Sequence, residues 1–215
     1  MRPAFCKSGG HPLIRRLSRR FSHRGRLGRA LYKRFGGANG FEWAEHLRAT
    51  TDLYHLGKDC SILPSTKIIE PEYTWIGDRV CLGSCTLICH DGAAQTINRR
   101  HNVSIDRIGP IIIEDDVFVG EDAIILGSTT IGEGSVVGAG SLVRSSVPAG
   151  SVVAGNPAKV VAKVEDVVRF WEADTLAMPW RHLIEQREGA FDRNLEPELK
   201  RMRQAHFFQG KLKRP

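Results

Sequence analysis

Six aliphatic residues stand at strict six-residue intervals in the second half of this chain: Ile113, Val119, Ile125, Ile131, Val137 and Val143. The same beat runs through Leu56, Ile62 and Ile68, and again through Ile76, Leu82 and Ile88. A helix face repeats every 3.6 residues and a strand face every two, so neither asks for six. A coil of three short strands per turn does. Each side of the triangle takes one hexad, and each turn stacks its aliphatic corner on the turn below.

A second position supports the coil. Small or β-branched residues follow four places after each aliphatic: Cys60, Thr66, Val80, Thr86, Val117, Ala123, Thr129, Ser135, Ser141 and Val147. Both positions are expected to face a narrow bore that takes one large and one small side chain per side. Glycine often follows the aliphatic (Gly57, Gly77, Gly83, Gly120, Gly132, Gly138), where the bend is expected to require positive φ. Glu72 breaks the inner pattern beside a two-residue slip between Ile68 and Ile76, which reads as a bulge or small loop. A larger interruption follows Ile88. The beat vanishes through Cys89-His90-Asp91-Gly92 and resumes at Ile113. Long loops on rigid scaffolds are favoured places for function.

Charge is unevenly spread. Residues 1–50 carry twelve Lys/Arg against Glu42 and Glu45, whereas residues 51–164 carry nine basic and thirteen acidic residues. The overall +7 therefore belongs to an N-terminal arm. Residues 1–12 show no periodicity. Residues 13–35 pattern as a basic amphipathic helix, expected either to pack on the protein or to meet an anionic membrane surface. Nucleic acid is disfavoured, because no aromatic-basic platform accompanies the arginines. A short helix is expected over 41–48. After Val164 the pattern turns helical over 167–176, 180–188 and 196–208, segments expected to cap the open end of the coil. The divisions are thus a basic, partly helical arm (1–50), the coil (51–164) and a helical extension (165–215).

No apolar run approaches the roughly 20 residues of a membrane span, and the N-terminus lacks a secretory pattern, so a cytoplasmic location is expected, with the arm as a route to the inner membrane face. Five cysteines without a CxxC pair fit a reducing compartment, and the four inside the repeat read as small residues of the coil.

The run Ile131-Gly-Glu-Gly-Ser-Val-Val-Gly-Ala-Gly-Ser-Leu-Val143, followed by Val153-Ala-Gly-Asn-Pro-Ala-Lys-Val160, resembles the hexapeptide-repeat acyltransferase family. Its branch of sugar and polysaccharide O-acetyltransferases is the nearest likeness. The resemblance covers roughly residues 56–162. It implies a mainly β, left-handed parallel β-helix with helical extensions, acetyl-CoA as donor, a homotrimer, and active sites between neighbouring coils. It implies a histidine general base at an extruded loop, which His90 matches. Asp91 is the candidate to orient it, provided the chain has turned, since successive strand residues face opposite ways. The resemblance also implies a pantetheine groove for which Gly120, Gly138 and Ala139 are candidates. Arg144 and Lys159, with Lys163 behind them, are candidates for the nucleotide phosphates. Glu121 departs from the family pattern where a small residue is usual, and Gly127-Ser128 replaces a common Pro-Gly.

The expected activity is direct acyl transfer from acetyl-CoA to a sugar or glycan hydroxyl, the glycan being lipid-linked if the arm meets a membrane. Alternatives are N-transfer to an amino sugar and a non-catalytic trimeric scaffold. His101 is the rival base, and a covalent route through Cys89 is not needed. A zinc hydratase on this fold needs three converging histidines, and only His90 and His101 lie near the right region, so no metal is expected.

Overall fold

A computed structural model of the protein describes residues 17, 27, 32, 37–189 and 191–209. They fall into two compact units, one within residues 7–165 and the other within residues 166–215.

The first unit is a left-handed parallel β-helix. Strands β1 (His55–Leu56), β4 (Thr74–Ile76), β7 (Ile111–Ile113) and β10 (Thr129–Ile131) stack as one side. The second side takes β2 (Ser61–Ile62), β5 (Cys81–Leu82), β8 (Phe118–Val119), β11 (Val136–Val137) and β13 (Ser151–Ala154). The third takes β3 (Lys67–Ile68), β6 (Thr86–Ile88), β9 (Ile124–Leu126) and β12 (Leu142–Val143). Every neighbouring pair among these strands is parallel and in register, so Ile76, Ile113 and Ile131 stack in one column and Leu82, Val119 and Val137 in the next. All are fully buried.

Two expectations of register and backbone are corrected. In the second turn the inward residues are Leu87 and Cys85, both buried, whereas Ile88 and Thr86 are only half-buried. The cause is a corner of two residues, Gly83 and Ser84, in place of three; it closes with Cys85 N–H on the Gly83 carbonyl at 2.7 Å. The beat there is five, and Leu87 pairs with Ile68 and Ile125. Nor do the glycines after the corner aliphatics adopt positive φ. That conformation falls two residues later, at Asp59, Arg79, Asp116, Gly134, Asp122 and Gly140. The corner glycines are needed because the next turn lies against them. A Cβ on Gly132 would sit 2.4 Å from the Ala149 nitrogen, and one on Gly57 2.3 Å from the Gly77 backbone.

Corners leave backbone N–H groups without a strand partner, and acidic side chains of adjacent turns accept several of them. Asp78 accepts from Lys58 N at 2.7 Å, Asp115 from Asp78 N at 2.9 Å, and Glu114 from Glu133 N at 2.8 Å. This use accounts for part of the acidic excess of the coil.

Helix α1 (Gly40–Thr50) closes the N-terminal end. It starts with a capping box, in which the Asn39 side chain accepts from Glu42 N while Glu42 accepts from Asn39 N. Its Trp43 and Ala44 join the core of the coil. The basic helix expected over 13–35 lies outside the described residues, apart from Leu17, Leu27 and Tyr32; Tyr32 is buried against Trp43 and His46. The free edge of β13 is covered by an antiparallel strand, β14 (Lys159–Lys163). The second unit carries the expected helices, α3 (Val164–Ala177, beginning just before the boundary), α4 (Arg181–Gln186) and α5 (Glu196–Phe207). Its small core is Trp180, Leu183 and Leu199. No described helix is long and apolar enough to cross a membrane.

Candidate active site

The excursion between β6 and β7 is not a plain loop. It contains α2 (Ala93–His101), whose first turn begins with Asp91 Oδ1 accepting the Ala93 N–H at 3.0 Å. Arg99, Arg100 and His101 fill the last turn, where positive charge suits the helix dipole. Asn102 ends it in the left-handed conformation, φ 52°. The Asn98 side chain then clamps Ile105 through both its backbone N–H and carbonyl, at 2.7 and 2.8 Å. The chain returns antiparallel to its own start: His90 bridges Ile108, Asp91 N–H donates to the Arg107 carbonyl at 2.8 Å, and Gly109 N–H to the Cys89 carbonyl at 2.9 Å.

His90 stands at the root of this excursion. Its Nδ1 lies 2.5 Å from Glu70 Oε1, while Glu70 Oε2 accepts the Cys89 N–H at 2.9 Å. A carboxylate only accepts, so this contact calls for a proton on Nδ1 and leaves Nε2, on the side of Gly92, without a partner among the described residues. Glu70 belongs to the two-residue slip before β4, which forms a 3₁₀ turn, Pro71–Tyr73. Thr74, not Glu72, resumes the inner position and is fully buried. The signal for Glu70 was the slip itself, a corner extruded one turn from the histidine with a carboxylate at its start. Asp91 engages the first turn of α2 instead, and His101 sits at the far end of that helix.

A cleft of about 480 Å³ opens beside His90. His90, Asp91 and Gly92 line one wall, Asp106, Arg107 and Ile108 another, with Gly127-Ser128 and Arg144 below. Gly127 is required here, since a Cβ would lie 2.4 Å from the Cys89 carbonyl oxygen. Ser128 takes a positive φ of 61°.

The five donor-binding candidates fall on two different corners of the triangle. Gly120, Gly138 and Ala139 follow β8 and β11, and Lys159 pairs with Ala154 one turn further along the same corner. The glycines are packed by neighbouring turns: a Cβ on Gly120 would sit 2.7 Å from Ala139 N, and one on Gly138 3.2 Å from the Ala154 Cβ. Ala139 and Lys159 are exposed. Glu121 lies on this corner too, accepting the Ser84 N–H at 3.0 Å. Arg144 follows β12 and lines the His90 cleft. Lys163 ends β14, opposite Ser151.

Burial raises the pKa of the thiols of Cys60, Cys81 and Cys89, and pushes that of Cys85 up to about 12. Cys89 is buried in the coil wall with its thiol form favoured, which argues against a nucleophilic role. Among the described residues, no three His, Cys, Asp or Glu side chains are grouped to hold a metal ion.

Residues 110–145 match the family model described as bacterial transferase hexapeptide (six repeats). Over 58 residues the chain is 52% identical to 2,3,4,5-tetrahydropyridine-2,6-dicarboxylate N-acetyltransferase of Staphylococcus aureus strain JH9, a match covering 27% of this chain and 24% of that relative. It is also similar to the crystal structure of the polySia-specific acetyltransferase NeuO, at 32% identity and TM-score 0.38 over 42% of each chain. Galactoside acetyltransferase in complex with coenzyme A gives 17% identity and TM-score 0.41, over 75% of this chain and 86% of the other.

Proposed function

We propose that this chain, a member of the hexapeptide-repeat transferase family, transfers an acetyl group from acetyl-CoA to an acceptor hydroxyl, with a sugar as acceptor and His90 as general base. The observation that carries the reading is the Glu70–His90 pair at the mouth of a cleft. A carboxylate that fixes the Nδ1 proton leaves Nε2 free to accept one, the arrangement a general base needs.

The residues divide the work as follows. His90 Nε2 takes the proton from the acceptor hydroxyl as its oxygen forms the new bond to the donor's carbonyl carbon. Glu70 stabilises the imidazolium that results. His90 then returns that proton to the departing thiolate as the carbon–sulfur bond breaks. Acetyl-CoA supplies the activated acyl group, and Ala139 with Lys159 would hold it, the alanine against the pantetheine arm and the lysine at the phosphates.

This division supports the trimer that the family resemblance implies. Ala139 and Lys159 lie on one corner, His90 on another. One side of the triangle separates them, roughly 15–20 Å for five or six extended residues. Reacting atoms must come within about 3.5 Å, so a donor on the first corner is best placed to meet the histidine of a neighbouring copy.

The curated relative is named as an N-acetyltransferase, which favours an amine acceptor as the second reading; a base at Nε2 serves either nucleophile. The matched segment spans about a quarter of that relative, so the acceptor is a question for assay. Thiol release from acetyl-CoA against a panel of sugars and amino sugars separates the two readings. His90→Ala is expected to lower turnover about 10²–10⁴-fold with coenzyme A binding intact. No turnover with any acceptor and no coenzyme A binding by calorimetry would leave a non-catalytic scaffold.

A further inference from the structure

The first side of the coil carries a second hollow, of about 370 Å³, beside the slip that holds Glu70. The outward residues of β1, β4 and β7 form a column, His55, Trp75 and Ile112, which the parallel register sets side by side. Trp75 stacks on His55, with ring centroids 4.9 Å apart and planes 15° from parallel, so its ring is held in place. Tyr54 and Tyr73 stand at the edge of the column, 76% and 45% exposed. The Tyr54 N–H donates to the Pro71 carbonyl at 3.0 Å, which ties the segment before β1 to the 3₁₀ turn that carries Tyr73. Pro110 completes the apolar lining.

The polar groups of this hollow are acidic. Glu72 and Glu114 both reach it, and Glu114 is fixed by accepting the Glu133 N–H at 2.8 Å. No lysine or arginine stands among the described residues that line it. Three aromatic rings with two carboxylates suit a ligand that has apolar faces, carries hydrogen-bond donors and lacks negative charge. A neutral sugar has these properties. The negative face of an aromatic ring attracts the C–H groups of a pyranose face, and its hydroxyls donate to carboxylates, which only accept. The adenine of acetyl-CoA fits less well, because its phosphates would lie near two like charges. A second copy of the chain is the other candidate for so apolar a face. Covering Glu72 and Glu114 without a cation would be costly, and such charges are depleted at the centres of interfaces.

The hollow and the His90 cleft share the base of the excursion. Gly109 lines the cleft, and Pro110, the next residue, lines the hollow. Glu70 holds His90, and Glu72 and Tyr73 follow it in the same slip, where the Cys89 thiol donates to the Tyr73 carbonyl at 3.7 Å. We propose that Tyr54, Tyr73 and Trp75 form a subsite for a neutral sugar unit of an oligosaccharide, a short distance along the chain from the unit presented to His90. The link to transfer rests on reading the His90 cleft as the transfer site, whereas binding in the hollow does not.

The test is calorimetry on the full chain with maltohexaose, cellohexaose and chitohexaose, each beside its disaccharide. At least one hexasaccharide is expected to bind about tenfold or more tightly than its disaccharide. Tyr54→Ala and Tyr73→Ala should each weaken that hexasaccharide about 3–10-fold, while the dissociation constant for acetyl-CoA stays within about twofold. Tyr54 is exposed enough for its truncation to spare the fold. Three results overturn the proposal. One is that no hexasaccharide binds better than its disaccharide. Another is that the variants weaken acetyl-CoA as much as the sugar, which would give the hollow to the donor. The third is that Tyr54→Ala changes the oligomer in sedimentation velocity, which would make this face a subunit contact. Thiol release is scored separately. Absent turnover with every acceptor would refute the transferase reading, and the binding comparison would still decide the subsite.

Discussion

Replacing Glu70 by glutamine exchanges one oxygen for an NH₂ group and leaves the side-chain volume almost unchanged. The wild-type carboxylate satisfies two donors, Cys89 N–H at 2.9 Å and His90 Nδ1–H at 2.5 Å. An amide has one oxygen to offer. If that oxygen keeps the Cys89 N–H, the amide NH₂ faces Nδ1, which must then become an acceptor, and the imidazole proton moves to Nε2. The base is lost although every atom remains in place. If the oxygen instead keeps Nδ1–H, the N–H of the buried Cys89 faces another donor, at a cost of about 1–3 kcal/mol. The tautomer shift is the cheaper escape. Glu70→Gln should therefore lower kcat about 10²–10⁴-fold, equivalent to about 3–5 kcal/mol at the transition state, with the KM for acetyl-CoA and the melting temperature nearly unchanged. Glu70→Asp, which keeps both oxygens on a shorter stem, should recover part of the loss. Thiol-release kinetics at saturating donor read all three. Asp91→Asn serves as the control, with an effect below about threefold, because that side chain holds the start of α2. A Glu70→Gln enzyme with wild-type kcat would falsify the positioning role.

Three further outcomes follow from the geometry. Mixed trimers of His90→Ala and Ala139→Trp subunits, each homotrimer inactive, should regain about a quarter of wild-type activity if each site joins the histidine of one copy to the donor corner of the next; no recovery on co-expression would put both within one chain. Gly132→Ala should destabilise the coil by about 1–3 kcal/mol, a fall of roughly 3–10 °C in melting temperature, because its Cβ would collide with Ala149 N, whereas Gly134→Asn should be tolerated, since that position has φ 65° and nothing within 4 Å; equal losses in the two variants would refute the distinction. Cys85 has a folded pKa of about 12, above the ordinary thiol value of 9.0. Its contribution to stability is complete below pH 9 and is lost as pH rises from about 9 towards 12, at up to about 1.4 kcal/mol per pH unit; urea midpoints across that window should fall less steeply in Cys85→Ala.

The six-residue beat was legible because the bore admits only certain side chains, and two inward residues per hexad repeat that demand in every turn. The same redundancy hid one of the two departures that build the site. Leu87 and Ile88 are both aliphatic, and Cys85 and Thr86 are both small, so the pattern is satisfied by either register. What decides between them is the tight Gly83-Ser84 corner, a backbone event without a compositional mark of its own. Its consequence reaches the site. Shifting a strand by one residue turns every side chain to the other face. With Ile88 inward, Cys89 would face out and His90 would point into the coil. With Leu87 inward, as observed, Ile88 faces out, Cys89 is buried in the wall, and His90 stands outside it, where Glu70 can reach it. Glu70 was hard to find for a related reason: it sits in the slip between Ile68 and Ile76, where the beat offers no register to assign it. The regular hexads specify the coil, and its two irregular corners, one a residue short and one two residues long, are what bring a carboxylate and an imidazole to the same place on its surface.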